Sequence, residues 1–346
     1  MYGSVNDEHP PILISIIIPV FNLEGYVGEC LESITRQAFR GIEIVAIDGG
    51  SSDASRQIME NWRQREPRLS VLHADRIGPG LARNIGYAAA RGEYIWFVDG
   101  DDTIVAGCLD AIAERLEGTH PDVLLIGCQA VHPDGRSESS VEYDLMGIDT
   151  TECFTLDEQP SVLHLTMTCW NKIIRRDFFD SIDAQFASDW PHEDVPVSGL
   201  LLLRAAKLDV LNRICYSYRL NRSGSALATS AAFGHFRIFN SYEIIMGLVE
   251  AQAAVADPVV TSAVRHSLFE RAIWHYMMIL DGRFRWVASR SEHRKFFERM
   301  HSYFVRHVPP GYHHSGGFRG LRLRLIERNA YVSYLILSSV HGKARG

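Results

Sequence analysis

Over the first hundred residues, short apolar runs alternate with segments of helical spacing, and that alternation restricts the fold more than any other feature. The run "ILISIIIPVFN" is rich in isoleucine and ends on Pro19, as expected of a strand buried on both faces. From Glu24 to Arg36, Tyr26, Val27, Cys30, Leu31 and Ile34 recur on one helical face. "IEIVAI" predicts a second strand and Asp53 to Arg65 a second helix; "LSVLHA" predicts a third strand. "GLARNIGYAAARG" predicts a helix closed by Gly92, and "EYIWFV" a fourth strand. Such an order implies βαβ units, a mostly parallel sheet and right-handed crossovers. In sheets of this kind, ligands bind beyond the carboxyl ends of the strands.

Three strand ends therefore share one address. The first ends at "PVFN", the second at Asp48-Gly49-Gly50-Ser51, and the fourth at Asp99-Gly100-Asp101-Asp102. Gly49 and Gly50 allow a tight turn, and Ser51 or Ser52 is expected to cap the next helix. An ordinary turn accounts for those glycines and serines. It does not account for an acid at the end of each of two buried strands. Carboxylates at a strand exit are hard oxygen ligands for Mg²⁺ or Mn²⁺, ions that keep waters and bridge phosphate oxygens. An Asp-x-Asp alone is more often a solvated turn; here it directly follows an apolar strand, with Asp48 as a second strand-end acid.

At this point "SIIIPVFNLEGYVGECLESITRQ", "EIVAIDGGSSDAS", "GPGLARNIGYAAARGEYIWFVDGDD" and "HEDV" resemble, in order and spacing, the inverting family 2 glycosyltransferases of bacterial surface-glycan type. The resemblance covers roughly residues 12 to 226. It implies a GT-A fold, Rossmann-like α/β with flanking helices, as a catalytic domain over residues 1–228, followed by a mainly helical, basic region over 229–346. It also implies a nucleotide-diphospho-sugar donor and a divalent metal ion, Mn²⁺ or Mg²⁺. Pro19, Phe21 and Glu24 would line the nucleotide pocket, with Asp48 facing the nucleoside and Arg83 near the base and phosphates. Asp99 would approach the ribose and the metal, with Asp101 as metal ligand; Gly50 and Gly100 lie in the same turns. Asp194 matches the catalytic base, and Glu193 beside it is the competing candidate.

Weaker blocks extend the resemblance. Trp170, Asn171 and Lys172 resemble an acceptor-side segment, and Trp190 could stack on a sugar ring. Arg219 and Arg222 in "YRLNRSGS" resemble a segment that approaches the diphosphate with forked donors. His192 and His235 are further candidates for metal contact. Gly49 stands where members of the family commonly carry a second acid that reads uracil. UDP is therefore the default nucleotide, with GDP and dTDP open. Two other classes remain open on the residues themselves. A nucleotidyltransferase would need a Gly-rich basic loop after the first strand, which "PVFNLEGY" lacks; a non-catalytic nucleotide-sugar-binding scaffold would need neither metal pair nor base.

Charge separates the chain into two parts. Net charge is −7, yet from Arg283 onward 13 Lys/Arg stand against 3 Asp/Glu, leaving 22 against 39 in the preceding part. An acidic body without a recognised module argues against nucleic-acid binding. The segment "GGFRGLRLRLIERNAYVSYLILSSVHG" sets arginines beside Leu, Ile, Val and Tyr. It suits a membrane interface and an acceptor on a polyprenyl carrier, and equally a closing helix or an oligomer contact. Six scattered cysteines without a Cys-x-x-Cys pair suggest buried thiols in a reduced, cytoplasmic setting. The opening "MYGSVNDEHP" lacks the basic and apolar regions of a leader, so none is expected. No run reaches the ~20 apolar residues of a membrane span.

Overall fold

The strand–helix alternation read from the first hundred residues folds as four parallel strands in the spatial order β3-β2-β1-β4. These are β1 (Ile14–Val20), β2 (Ile42–Asp48), β3 (Leu69–His73) and β4 (Tyr94–Phe97). β1, β2 and β4 are buried at every position, which is why they read as near-continuous apolar runs, interrupted within β1 and β2 by Ser15 and Glu43, which bond each other. The connecting helices are α1 (Val27–Thr35), α2 (Ser55–Arg63) and α3 (Pro79–Ala89). α1 buries Val27, Cys30, Leu31 and Ile34, the face its spacing marks. The protein is described here from a computed structural model, over residues 11–138, 148, 152–187, 192–220, 232–252, 258–282 and 288–343.

Gly92 plays a different part from the one expected. α3 ends at Ala89, and Ala90 is already extended. Gly92 instead passes against β1: its amide donates to Ser15 Oγ at 2.8 Å, and a Cβ there would lie 2.6 Å from the Ser15 nitrogen. Close approach to a strand, rather than helix termination, requires the glycine.

The second half of the sheet is mixed. It contains β5 (Thr103–Ile104), β6 (Val123–Val131), β7 (Ser137–Glu138), β8 (Lys172–Arg175) and β9 (Leu208–Arg219), with α4 (Cys108–Thr119) and α5 (Arg176–Ser181) between them. Among the described residues nine strands form one sheet, β3-β2-β1-β4-β8-β6-β9-β5, with β7 on β6. β8 runs antiparallel between β4 and β6, whereas β6 and β9 are parallel.

The chain divides into two compact units. The first comprises Met1–Thr155, Thr168–Asp189 and Arg204–Asn221; the second comprises Leu156–Met167, Trp190–Leu203 and Arg222–Gly346. The boundary drawn from sequence at 228/229 lies outside the described residues, and two earlier segments join the helical unit. That unit holds a 3-10 turn (Pro160–His164) and most of α6 (Asp194–Arg204). It continues with α7 (Ala232–His235), α8 (Arg237–Gln252), α9 (Pro258–Asp281), α10 (Arg290–His307), α11 (Gly317–Glu327) and α12 (Tyr331–Lys343). Aromatic rings fill its core: Phe239 lies 4.2 Å from Tyr276 and 4.7 Å from Phe296, centroid to centroid. Gly199 lets α6 approach α8, since a Cβ there would lie 2.6 Å from the Ile245 side chain. Ser289 and Glu292 form a reciprocal capping box that starts α10. No helix among the described residues is long and apolar enough to cross a membrane. All six cysteines are free thiols, and five are buried.

Candidate active site

The sheet order sets the exit of β1 between the exits of β2 and β4, so Pro19 and Phe21 lie between Asp48 on one side and Asp99 on the other. Phe21 is 55% exposed, unusual for a phenylalanine that follows a fully buried strand. Asp48 is buried, and its Oδ1 accepts from the Ser51 amide at 2.9 Å. Its other oxygen lies 3.6 Å from His73 Nδ1, and His73 Nε2 lies 3.0 Å from Glu60 Oε1. Gly50 adopts φ +89°, and a Cβ there would lie 2.7 Å from the Arg76 nitrogen. Gly49 is less confined: a Cβ would lie 3.0 Å from the Ile77 carbonyl and 3.4 Å from that of Val20.

The serines of this turn do not cap α2. Its N-cap is Ala54, with no side-chain cap bond. They bind the loop after β1 instead. The amides of Asn22 and Leu23 donate to Ser51 Oγ and Ser55 Oγ at 3.0 and 2.7 Å, while Asn22 Oδ1 accepts from the Ser52 amide at 2.8 Å. The Glu24 amide donates to Asp53 Oδ2 at 3.0 Å, and Glu24 Oε2 accepts from the Ala54 amide at 2.9 Å. Glu24, expected at the nucleotide pocket, thus holds the start of α2. Two loops from different βα units are joined by reciprocal bonds, and this fixes the shape of the floor between Asp48 and β1.

The exit of β4 is organised differently. Arg83, buried on α3, donates through Nη2 to Asp99 Oδ1 at 2.7 Å. The Asp99 amide donates to the Tyr216 hydroxyl at 3.1 Å, and that hydroxyl donates to Asp102 Oδ2 at 2.8 Å. Asp102 Oδ1 accepts from the Arg219 amide at 2.7 Å. Burial pushes the Asp102 carboxyl well up, and the charges of Asp101 and Asp99 push it further. Gly100 allows the turn to pass β1, since a Cβ there would lie 3.1 Å from the Pro19 carbonyl. Arg219 spans the turn: Nε donates to the Asp101 carbonyl at 3.0 Å and Nη2 to Glu29 Oε2 at 2.7 Å.

The other expected residues fall in four groups. Trp170, Asn171 and Lys172 are buried. Trp170 stacks on Tyr216, with centroids 4.6 Å apart, and on Tyr218, at 5.7 Å. Lys172 Nζ donates to the Thr168 carbonyl and to Asn171 Oδ1 at 2.7 and 2.8 Å. Asp194 opens α6 half-buried, and Glu193 before it is buried, both in the second unit. Trp190 and Arg222 lie outside the described residues. His192 and His235 do meet, with ring centroids 5.8 Å apart, and His275 lies 5.8 Å from His192. Among the described residues, however, no group of three or more His, Cys, Asp or Glu side chains is arranged to hold a metal ion.

The sequence profile described as glycosyl transferase family 2 matches residues 15–182, the stretch that contains both acid-bearing strand exits. The chain carries a family 2 glycosyl transferase domain. EpsJ of Bacillus subtilis, an uncharacterized glycosyltransferase, is 32% identical over 213 residues, 60% of this chain and 61% of that protein. The poly(ribitol-phosphate) beta-N-acetylglucosaminyltransferase TarS of Staphylococcus aureus is 30% identical over 62% of this chain and 37% of its own length. The matched part is thus under two thirds of either relative. A crystal structure of TarS in complex with UDP-GlcNAc has a TM-score of 0.71 at 22% identity, over 96% of this chain and 92% of that one. The mannosyltransferase PcManGT of Pyrobaculum calidifontis, solved with GDP-Man and Mn²⁺, has a TM-score of 0.51 at 13% identity, over 96% of this chain and 87% of that one. The transferase domain therefore has the mixed, helix-flanked GT-A sheet of these enzymes.

Sequence reasoning about the transferase domain missed Tyr216 and the structural part of Asp102. The third acid of "DGDD" was a visible signal for Asp102. Tyr216 lies 114 residues further on, and nothing local marks its hydroxyl as the link between Asp102 and the Asp99 amide.

Proposed function

We propose that the protein transfers a sugar from a nucleotide diphosphate, a UDP-sugar by default, to a hydroxyl of a glycan or lipid-linked acceptor in cell-surface glycan assembly. The observation that carries this reading is the placement of Asp48 and the Asp99–Asp102 turn on either side of the β1 exit, with Phe21 exposed between them. The relatives support it: TarS is named as a transferase of N-acetylglucosamine and was solved with UDP-GlcNAc. GDP-Man in PcManGT keeps the base open, as does glycine in place of an acid at position 49.

Asp99 and Asp101 offer the hard oxygen atoms that a divalent cation takes. Three carboxylates stand within four residues; burial pushes the Asp102 carboxyl well up, and the charges of Asp101 and Asp99 push it further. Asp101 and Asp99 would hold Mn²⁺ or Mg²⁺, with waters and phosphate oxygens completing the shell; Mn²⁺ in PcManGT supports this choice. Bound there, the ion would neutralise charge developing on the departing nucleotide. Arg83 fixes the Asp99 carboxylate, Tyr216 and Arg219 fix the turn, and Phe21 offers an apolar ring to the ligand. Asp194 accepts the proton of the acceptor hydroxyl as oxygen attacks the anomeric carbon opposite the leaving group, which inverts its configuration. Asp194 is preferred to Glu193 because it is the less buried of the two and opens a helix, where a carboxylate is favoured.

The test is release of UDP from UDP-GlcNAc with Mn²⁺, water serving as acceptor. Asp194→Asn is expected to slow release by about 10²–10⁴-fold with nucleotide affinity unchanged, and Glu193→Gln to slow it far less. Unchanged turnover in Asp194→Asn removes the base assignment.

A further inference from the structure

The last two helices of the second unit carry a surface outside the residues assigned above to sugar transfer. α11 and α12 form a helical hairpin, turned at Asn329 (φ 52°) and closed by the Ala330 amide donating to the Leu325 carbonyl at 2.8 Å. Both helices lean on α10. His301 Nδ1 lies 2.9 Å from the Ile326 carbonyl, and the rings of Tyr331 and Tyr334 lie 5.4 and 5.1 Å from that of Phe297. Gly320, Leu323, Ile326 and Tyr334 are buried on that side.

The opposite faces are bare. Leu321, Val332 and Ile336 are 46%, 68% and 64% exposed, and Arg324 and Arg328 are exposed beside them. On α11, Leu321, Arg324 and Arg328 share one face by helical spacing; on α12, Val332 and Ile336 share the face opposite Tyr334. Not every arginine of the hairpin faces out. Arg322 turns inward to Asp281 and Tyr334, and Arg319 lies 5.6 Å from the Trp274 ring. Residues 317–343 hold five Lys/Arg against one acid, Glu327, which is itself 2.8 Å from His314 Nε2.

We propose that this hairpin docks on an anionic phospholipid surface, with Leu321, Val332 and Ile336 at the acyl boundary and Arg324 and Arg328 on headgroup phosphates. The charge pattern selects that partner. The chain from Arg283 onward is strongly basic while the remainder is acidic, so an anionic plane attracts this end and repels the rest. Apolar side chains flanked by arginines are the composition of a helix lying in an interface. At 13 residues α12 is too short to span a bilayer, so the contact is peripheral. The inference stands apart from the transferase reading, since it needs no nucleotide.

The full-length protein is sedimented with vesicles of phosphatidylcholine alone or mixed with phosphatidylglycerol. Binding to the anionic vesicles is expected to exceed binding to the neutral ones by about tenfold and to weaken as salt screens the arginines. Arg324→Glu with Arg328→Glu, and separately Val332→Ser with Ile336→Ser, are each expected to abolish that preference. UDP-GlcNAc binding and the melting temperature of both variants stay unchanged, which separates this surface from the sugar-nucleotide site and from misfolding. Equal binding to both vesicles, no binding to either, or full binding by the variants overturns the proposal. So does lipid-free self-association that the same substitutions remove, because the occupant is then a second copy of the chain.

Discussion

The exits of β2 and β4 both present aspartates beside β1, but they use their carboxylates differently. At β2, Asp48 gives one oxygen to the Ser51 amide, and the surrounding turn is tied to residues 22–24 by reciprocal bonds. At β4, three acids crowd one turn, and the most buried, Asp102, is held by Tyr216 and Arg219 while burial, and then the charges of Asp101 and Asp99, push its carboxyl up. One exit is a fixed wall. The other gathers three carboxylates in one turn, one of them already paired with Arg83. A strand-end acid read from sequence thus covers two physical roles, and only the partners of each carboxylate tell them apart.

That contrast can be broken most sharply by removing one charge from each exit. Asp101→Asn is expected to reduce turnover by about 10²–10³-fold, the scale of losing one electrostatic contact to the transition state, with no loss in melting temperature. Asp48→Asn is expected to act mainly on KM, by about tenfold, the scale of one hydrogen bond to a charged group. Steady-state kinetics on both variants checks the pair; equal effects on kcat would erase the distinction.

Next in size is the shape of the β2 exit. Gly50→Ala places a side chain at a positive φ and against the Arg76 nitrogen, so it should cost about 1–3 kcal/mol, read as a lowered melting temperature. Tyr216→Phe tests the β4 exit: losing a buried bond to Asp102 should cost about 1–3 kcal/mol. It should also raise the Mn²⁺ concentration needed for half-maximal rate more than it lowers kcat. A purely structural tyrosine would leave the metal dependence unmoved.

The smallest effect near neutral pH belongs to the second unit. Burial holds the His192 ring down to about 4, with His235 adding to the shift, and holds His275 well below its usual value, with Arg271 and His192 adding to it. His235 is lowered by burial as well, and Tyr242 Oη lies 3.0 Å from His275 Nδ1. These rings are neutral in the fold, and an unfolded histidine takes a proton near pH 6.5. Stability is therefore undiminished above about pH 6.5 and declines as pH falls from there toward 4. Thermal melts across that range check the sign; a melting temperature that rises on acidification contradicts it.

Much of the first unit was readable because β1, β2 and β4 are buried on both faces and their acids stand in unbroken local patterns. The rest depends on distant partners. Nothing near "KIIR" shows that it inserts antiparallel between β4 and β6. The glycine in "AARG" reads as a helix stop, whereas the approach to Ser15 that requires it comes from 77 residues away. The serines of "GGSSDAS" look like caps because the amides they accept from, on Asn22 and Leu23, belong to another turn. For the same reason, residues 156–167 and 190–203 carry no local sign that they join the helical unit.

The central claim is that the acids at the β4 exit make a cation-dependent site for a nucleotide sugar. Calorimetric titration of UDP-GlcNAc, with and without Mn²⁺, into the natural protein and Asp101→Asn tests it directly. The account predicts that Mn²⁺ tightens binding to the natural protein by about tenfold or more, the scale of a charge-assisted contact, and has little effect on the variant. Affinity that ignores Mn²⁺ in the natural protein, or a variant that keeps the full metal effect, would contradict it.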